Sequence, residues 1–275
     1  WVPLILNGES QVEGMTVAEV AVNTRTAADT VEPTKMDRPE DVEPSLHSRK
    51  VYAALTNNSK REIFQVDEVN PRLKNRDGQV LELDEQGDQT STEFAWNLLL
   101  VAGDPNGGDT TFYGNVDPKS VSPISCPDNL AFDSKGNLWI STDGAPDGIG
   151  YNDGLFRVTL EGDMRGNVEQ FLSVPREAET CGPIVRDEDY SAFVSVQHPG
   201  EDGSFSDQHS FFPEYNGTGP RPTVVQVLPI WEEEGPTPAP EEPTEEPTPA
   251  PTPEPTPEDP TQEPTAAPEE PTQDP

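Results

Sequence analysis

The sequence is short of the residues that most metal and nucleophile chemistries need. Its 275 residues include two cysteines, three histidines and three methionines. There is no C-x-x-C pair and no H-E-x-x-H run, so zinc spacing is absent. Three histidines, His47, His198 and His209, exclude a His-rich cage. No G-x-S-x-G elbow marks an exposed serine nucleophile. Phosphate-loop and dinucleotide fingerprints are missing too. No apolar run approaches the ~20 residues of a membrane span, and no secretory leader is recognisable at the start, Trp1-Val2-Pro3. The start without Met reads as a segment of a longer chain, with any export signal in the part that precedes it.

Positive charge is scarce as well. Seventeen Lys and Arg face 52 Asp and Glu, for a net charge of −35. Nucleic acid and anionic membrane carry the same sign and are poor partners. Part of the excess sits in a stretch of unusual composition. From Gly235 onward the chain is almost wholly Pro, Thr, Glu, Ala, Asp and Gln, with no aromatic, branched aliphatic or basic residue. Such a segment cannot bury enough apolar surface to offset its chain entropy. Residues 232–275 are therefore expected to be a disordered, polyproline-II-rich acidic tail. Residues 1–231 remain strongly acidic without it, which fits either solubility in a saline exterior or carboxylates gathered around hard cations.

What is abundant in residues 1–231 is turn chemistry between short β-branched and aromatic runs. Strands are expected at Lys50 to Thr56 (KVYAALT), at Gln79 to Asp84 and at Phe94 to Ala102, the last buried on both faces. Val17 to Val22 alternates loosely. Three hairpin units follow one another. Asn129 to Asp133 turns through Ser134-Lys135-Gly136-Asn137 into Leu138 to Thr142. Gly154 to Thr159 turns into Val168 to Leu172. Pro183 to Val185 turns through Asp187-Glu188-Asp189 into Ser191 to Val196. Val224 to Ile230 closes the series. Gly and Asx residues supply the tight turns. The expected fold class is all-β, a partial β-propeller of antiparallel hairpin blades. Blades of roughly 40–50 residues would not complete a ring, and open strand edges call for a further segment.

Polar clusters abut these strand ends: Thr34 to Asp41, Thr56-Asn57-Asn58, Cys126 to Asn129 with Ser141 to Gly144, and Arg176 to Pro183 with Gln197 to Glu201. They offer oxygen donors, which suit calcium, manganese or ferric iron better than zinc. Simpler roles compete with this. Asp128-Asn129 and Asp143-Gly144 are ordinary turn residues, and Arg38 with Glu40 makes an ordinary surface pair. Glu179 differs, because a carboxylate among small apolar residues is costly when unpaired. Cys126 and Cys181 fit either a disulfide or two inert thiols.

In this order, the segments resemble the PhoX-type alkaline phosphatases, secreted bacterial propeller phosphatases. The resemblance is carried by Thr24-Arg25 with Ala27-Ala28-Asp29, T-K-M-D-R-P-E-D at 34–41, V-Y-A-A-L-T-N-N at 51–58, N-P-R at 70–72 and A-G-D-P at 102–105. It continues through P-D-N-L-A-F-D-S-K-G-N-L-W-I-S-T-D-G at 127–144, N-D-G-L-F at 152–156, A-E-T-C-G-P at 178–183 and V-Q-H-P-G-E at 196–201.

The resemblance implies a secreted, periplasmic or cell-surface enzyme that releases inorganic phosphate from organic phosphate esters, with calcium and a ferric iron pair at the propeller mouth. It makes Glu40 and Glu179 metal ligands and Asp128, Asn129 and Asp143 members of the calcium-binding or supporting shell. Arg176 and Asn58 become candidates for phosphate contact. The family's cysteine ligand to iron, with its acidic neighbours, has no counterpart here. The chain is thus expected to supply part of a site and to be inactive alone. Two other functions fit the same hairpins: a calcium-dependent propeller lactonase, and a non-catalytic calcium-stabilised surface module on an acidic stalk.

Overall fold

The computed structural model describes residues 1–88 and 90–230, so the tail expected at 232–275 lies outside the described residues. The described chain is mostly β-sheet with few helices. A small hairpin, β1 (Ile5–Leu6) and β2 (Glu9–Ser10), opens it, followed by helices α1 (Val17–Val22) and α2 (Thr24–Thr30). Helix α1 corrects the strand-like reading of Val17 to Val22. Thr16 caps it: the Glu19 backbone N–H donates to Thr16 Oγ1, and the Thr16 N–H donates to the Glu19 carboxylate at 2.8 Å. This is a capping box, T-x-x-E, and a six-residue run is too short for its apolar period to overrule it. Val20 and Ala27 bury this helical corner against Val12.

Three antiparallel meanders follow. The first is β3 (Pro39–Pro44), β4 (Lys50–Leu55), β5 (Gln79–Glu85), β6 (Phe94–Val101) and β7 (Phe112–Tyr113). The second is β8 (Pro127–Phe132), β9 (Leu138–Thr142), β10 (Gly154–Val158) and β11 (Val168–Ser173). A short helix, α3 (Ala145–Ile149), lies between β9 and β10. The third is β12 (Glu179–Arg186), β13 (Ser191–Gln197) and β14 (Thr223–Val227). Among the described residues the sheets do not close into a ring.

Local chemistry fixes the turns. In the β8–β9 hairpin the Asp133 carboxylate accepts from the backbone of Lys135 and Asn137, from Asn137 Nδ2 and from Trp139 Nε1, at 2.8–3.0 Å. Gly136 sits at φ +82°, and a Cβ there would meet the His47 ring at 2.9 Å. Only glycine fits both constraints.

The main core fills the space between the first and second sheets with Tyr52, Val80, Leu99, Leu100, Leu138, Ile140 and Phe156. Each such side chain contributes roughly 1.5–3 kcal/mol of burial. A smaller cluster of Trp139, Leu155 and Val194 joins the second sheet to the third. Strand β6 departs from expectation. Leu99 to Val101 are buried, but Ala95 to Asn97 are exposed, because only its last residues reach under the main core.

The leading strands lie side by side: β8 packs on β3 and β4, and β12 packs on β8 and β9. Each leading strand carries a β-bulge of one extra residue. The register slips between Pro39 and Val42, between Pro127 and Leu130, and between Cys181 and Ile184. Bulges turn side chains away from simple alternation and are over-represented beside functional sites.

Candidate functional site

The bulges place the polar clusters. Glu40 and Asp41 occupy the bulge of β3, and Asp128 and Asn129 that of β8. Their second residues stitch the sheets in series. Asp41 Oδ2 accepts from the Leu130 N–H at 2.9 Å, and Asn129 Oδ1 accepts from the Gly182 N–H at 2.7 Å. Their first residues, Glu40 and Asp128, meet Asp143 at the end of β9 and Glu179 at the start of β12 in one electrostatic cluster.

Burial pushes Asp128 up to about 7, and the charges of Glu179, Asp143 and Glu40 add to it, with Arg38 opposing. Asp143 is also raised, by burial first and then by Glu179. The four carboxylates therefore lack compensating charge among themselves. Arg38 stands beside them. Its Nη2 is 3.1 Å from Glu40 Oε1 and 3.7 Å from Asp143 Oδ2, and its Nη1 donates to Asn57 Oδ1 at 3.3 Å.

Glu179 is held on both oxygens. The Cys181 thiol donates to Oε1 at 2.9 Å. Gln197 Nε2 donates to Oε2 at 2.5 Å, and His198 Nε2 lies 3.1 Å from the same oxygen. The pairing is set by register, since Glu179 faces Gln197 across β12 and β13. The other ring nitrogen, His198 Nδ1, is 3.1 Å from Glu201 Oε2 but poorly aligned for a hydrogen bond. Asp143 is fixed from behind: buried Asp153 accepts from Thr142 Oγ1 at 2.6 Å and from the N–H groups of Gly144 and Ala145. A cavity of about 180 Å³ opens here, lined by Asp143, Asp153, Glu177, Glu179, His198 and Glu201.

Asn58 and Arg176 are placed differently. Asn58 builds a turn, accepting from the Lys60 N–H and donating its own N–H to the Asn75 carbonyl. Its neighbour Asn57 is the one that reaches Arg38 and Cys126. Arg176 Nε pairs with Glu177 Oε1 at 2.8 Å, and Glu177 in turn receives His209 Nδ1 at 2.8 Å. Sequence reasoning set Asn57, Gln197 and Arg38 in its polar clusters but gave none of them a role in the site. Alternation along β4 continued past Thr56 was the signal for Asn57, and the cross-strand position opposite Glu179 was the signal for Gln197.

Among the described residues, no three His, Cys, Asp or Glu side chains already stand as a closed metal cage. The donor set suits calcium nonetheless, because it is built of hard carboxylate oxygens whose mutual repulsion a divalent cation relieves. Both cysteines are free. Burial pushes the Cys126 thiol up to about 11, and burial together with Glu179 pushes Cys181 up further.

Comparison with known proteins gives the family. The family model described as alkaline phosphatase PhoX matches residues 1–200. Pseudomonas fluorescens PhoX, solved in complex with vanadate, a transition state analogue, is 34% identical and superposes with a TM-score of 0.68. That match covers 82% of this chain and 40% of the Pseudomonas chain, so this chain spans well under half of its solved relative. No curated protein matches the chain. A family match over most of the sequence, joined to this structural likeness, places the chain in the PhoX family of alkaline phosphatases.

Proposed function

We propose that this chain supplies one part of the site of a secreted, calcium-dependent phosphomonoesterase. Its three meanders would be adjacent blades of a β-propeller whose other blades lie outside the chain. One observation carries the reading: Glu40, Asp128, Asp143 and Glu179 come from three sheets to one electrostatic cluster, in which Arg38 pairs with Glu40 and Asp143 but Asp128 is still pushed up by its neighbours. A surface that only needed solubility would spread such charges apart.

In this reading Glu40, Glu179, Asp128 and Asp143 hold calcium, and Asn129 supports them by locking β8 to β12. Bound calcium would supply positive charge to the phosphoryl oxygens. The chain's own residues supply preorganisation. Cys181 and Gln197 are neutral donors, so they orient Glu179 without cancelling its charge. Asp153 fixes the turn that presents Asp143. Iron has no part in this reading, because the cysteine ligand that the resemblance implies for it has no counterpart in this chain. Export from the cell belongs to the same proposal. No helix among the described residues is long and apolar enough to cross a membrane.

The test is a calcium titration of the metal-free chain by calorimetry, beside Glu40→Ala and Glu179→Ala. Binding that both substitutions abolish is expected. Equal binding in wild type and both variants would refute a shared site. The chain alone is expected not to turn over p-nitrophenyl phosphate, and robust turnover would overturn the partial-site reading. Hydrolysis of lactones but not of phosphate esters would point to the lactonase alternative instead.

A further inference from the structure

We infer that this chain carries a second site, for a phosphate-type oxyanion, in a cavity of about 370 Å³ between the β4–β5 loop and the β6–β7 loop. Its walls include Arg72, Lys74 and Arg76 from the first loop and Asp109 from the second. Positive charge is scarce, with 17 Lys and Arg in 275 residues, yet three of them stand here within five positions. The walls hold two carboxylates, Asp77 and Asp109, so one positive charge is left over. Pro39, Leu55 and Gln79 are in register, which puts the cavity at the same end of the first sheet as Glu40. Its walls share no residue with the cluster of Glu40, Asp128, Asp143 and Glu179.

The three cations are placed differently. Arg76 takes both carboxylates: its Nε is 3.3 Å from Asp77 Oδ2 and its Nη2 is 3.1 Å from Asp109 Oδ1. Arg72 takes neither at hydrogen-bond distance. Its side chain is only 14% exposed, and its approach to Asp77 is 4.0 Å. Its Nη donors go to the carbonyls of Ala102, Thr110 and Gly78 and to Asn75 Oδ1, and its Nε has no partner. A buried guanidinium given only neutral acceptors keeps much of its charge uncompensated. Burial accordingly pulls Arg72 below the usual arginine range, and Asp77 and Asp109 oppose this only in part. Lys74 is exposed and forms no ion pair among the described residues. Its backbone sits at φ +46°, in the left-handed region that non-glycine residues avoid. Such a conformation persists where its surroundings over-determine it. Here the Lys74 N–H donates to the Arg61 carbonyl at 2.9 Å. The next residue, buried Asn75, donates to Asp37 Oδ2 at 2.9 Å and to Gln79. A lysine that served solubility alone would gain nothing from that anchoring. An oxyanion in the cavity compensates the ammonium and the buried guanidinium together, and phosphate has the charge and the acceptor oxygens for both.

The test is calorimetry on the whole chain. Inorganic phosphate is titrated first into metal-free protein, in which the carboxylate cluster carries no calcium and repels anions. Wild type is expected to bind one phosphate. Lys74→Gly, which adopts φ +46° without strain, should weaken it at least about tenfold, the scale of one charge-assisted bond. Lys74→Glu should abolish binding, and Lys74→Arg should retain it. No saturable uptake by metal-free wild type, or equal uptake by wild type and Lys74→Glu, overturns the inference. Calcium-loaded protein then tells a free anion from the second anionic group of an ester. Propanediol bisphosphate bound more tightly than methyl phosphate, with the advantage lost in Lys74→Gly, supports a site for the second anionic group. Equal affinities, with two phosphates bound per calcium-loaded chain, support a site for free phosphate. The metal-free arm needs no calcium, so it stands or falls apart from the phosphomonoesterase reading.

Discussion

Replacing Asp37 by alanine should destabilise this protein severely, and the structure says by how much and why. Asp37 Oδ1 lies 2.6 Å from Arg61 Nε, with side-chain exposures of 0% and 4%. At an effective dielectric constant of 20, two unit charges at that separation attract by about 6 kcal/mol. Most of this is offset by the cost of taking both ions out of water, so the pair as a whole contributes little net. The asymmetry between removing one partner and removing both is the informative quantity. Asp37→Ala leaves the Arg61 guanidinium buried beside an apolar methyl group, and it also strips Asn75 Nδ2 of an acceptor. Breaking a buried pair in this way costs about 3–5 kcal/mol. For a domain of this size each kcal/mol lowers the melting temperature by about 2–4 °C, which gives a drop on the order of 10 °C. Urea denaturation and a thermal scan would both report it. The double variant Asp37→Leu with Arg61→Met should recover more than half of the loss, because no buried charge remains. The reasoning fails if the single substitution costs under about 1 kcal/mol, or if the double variant is no better than the single.

A second buried cluster gives a pH signature. Burial raises Glu82, but hydrogen bonds from Lys50 and Tyr52 and the charge of Arg165 outweigh it, so its folded pKa is lowered. The stability it contributes is present above its unfolded value of about 4.3 and is lost as pH falls through the lower folded value. Glu82→Gln should therefore cost about 2 kcal/mol at pH 7, and the difference from wild type in urea midpoints should shrink below about pH 4. Asp133→Ala removes the acceptor of four hydrogen bonds in the β8–β9 turn. It should cost about 2–3 kcal/mol and raise the accessibility of Trp139, measurable as a red shift of its fluorescence.

Much of the strand plan was legible because its turns are. Leu138 to Thr142 falls where D-S-K-G-N ends, since Asp133 and Gly136 specify that hairpin whatever packs around it. Strand β3 was not read as one. Its sequence, P-E-D-V-E-P, has a proline at each end and acids at three of the four positions between, which looks like a loop unless the neighbouring β4 is known. Prolines at the margins are tolerable in a leading strand that leaves some N–H groups unpaired. Helix α1 was missed for the opposite reason: T-x-x-E at Thr16 to Glu19 specifies a cap, while the loose apolar alternation of the six residues after Thr16 resembles a strand.

The carboxylates themselves were legible as residue types at strand ends, but their meeting was not. Glu40 and Glu179 are separated by more than half of the described residues, and no local pattern relates them. What relates them is a device repeated three times, one extra residue in the first strand of each sheet. In β3 and β8 the bulge splits two adjacent polar residues between two tasks. Asp41 and Asn129 spend their side chains on the backbone of the next sheet, while Glu40 and Asp128 are left to face the cluster. A regular strand would put such neighbours on opposite faces and give neither task a fixed partner. The same hydrogen bonds that hold the sheets together thereby set the spacing of the charges. The electrostatic strain of the cluster is thus built into the packing of the leading strands, and relieving it by local rearrangement would mean separating the sheets.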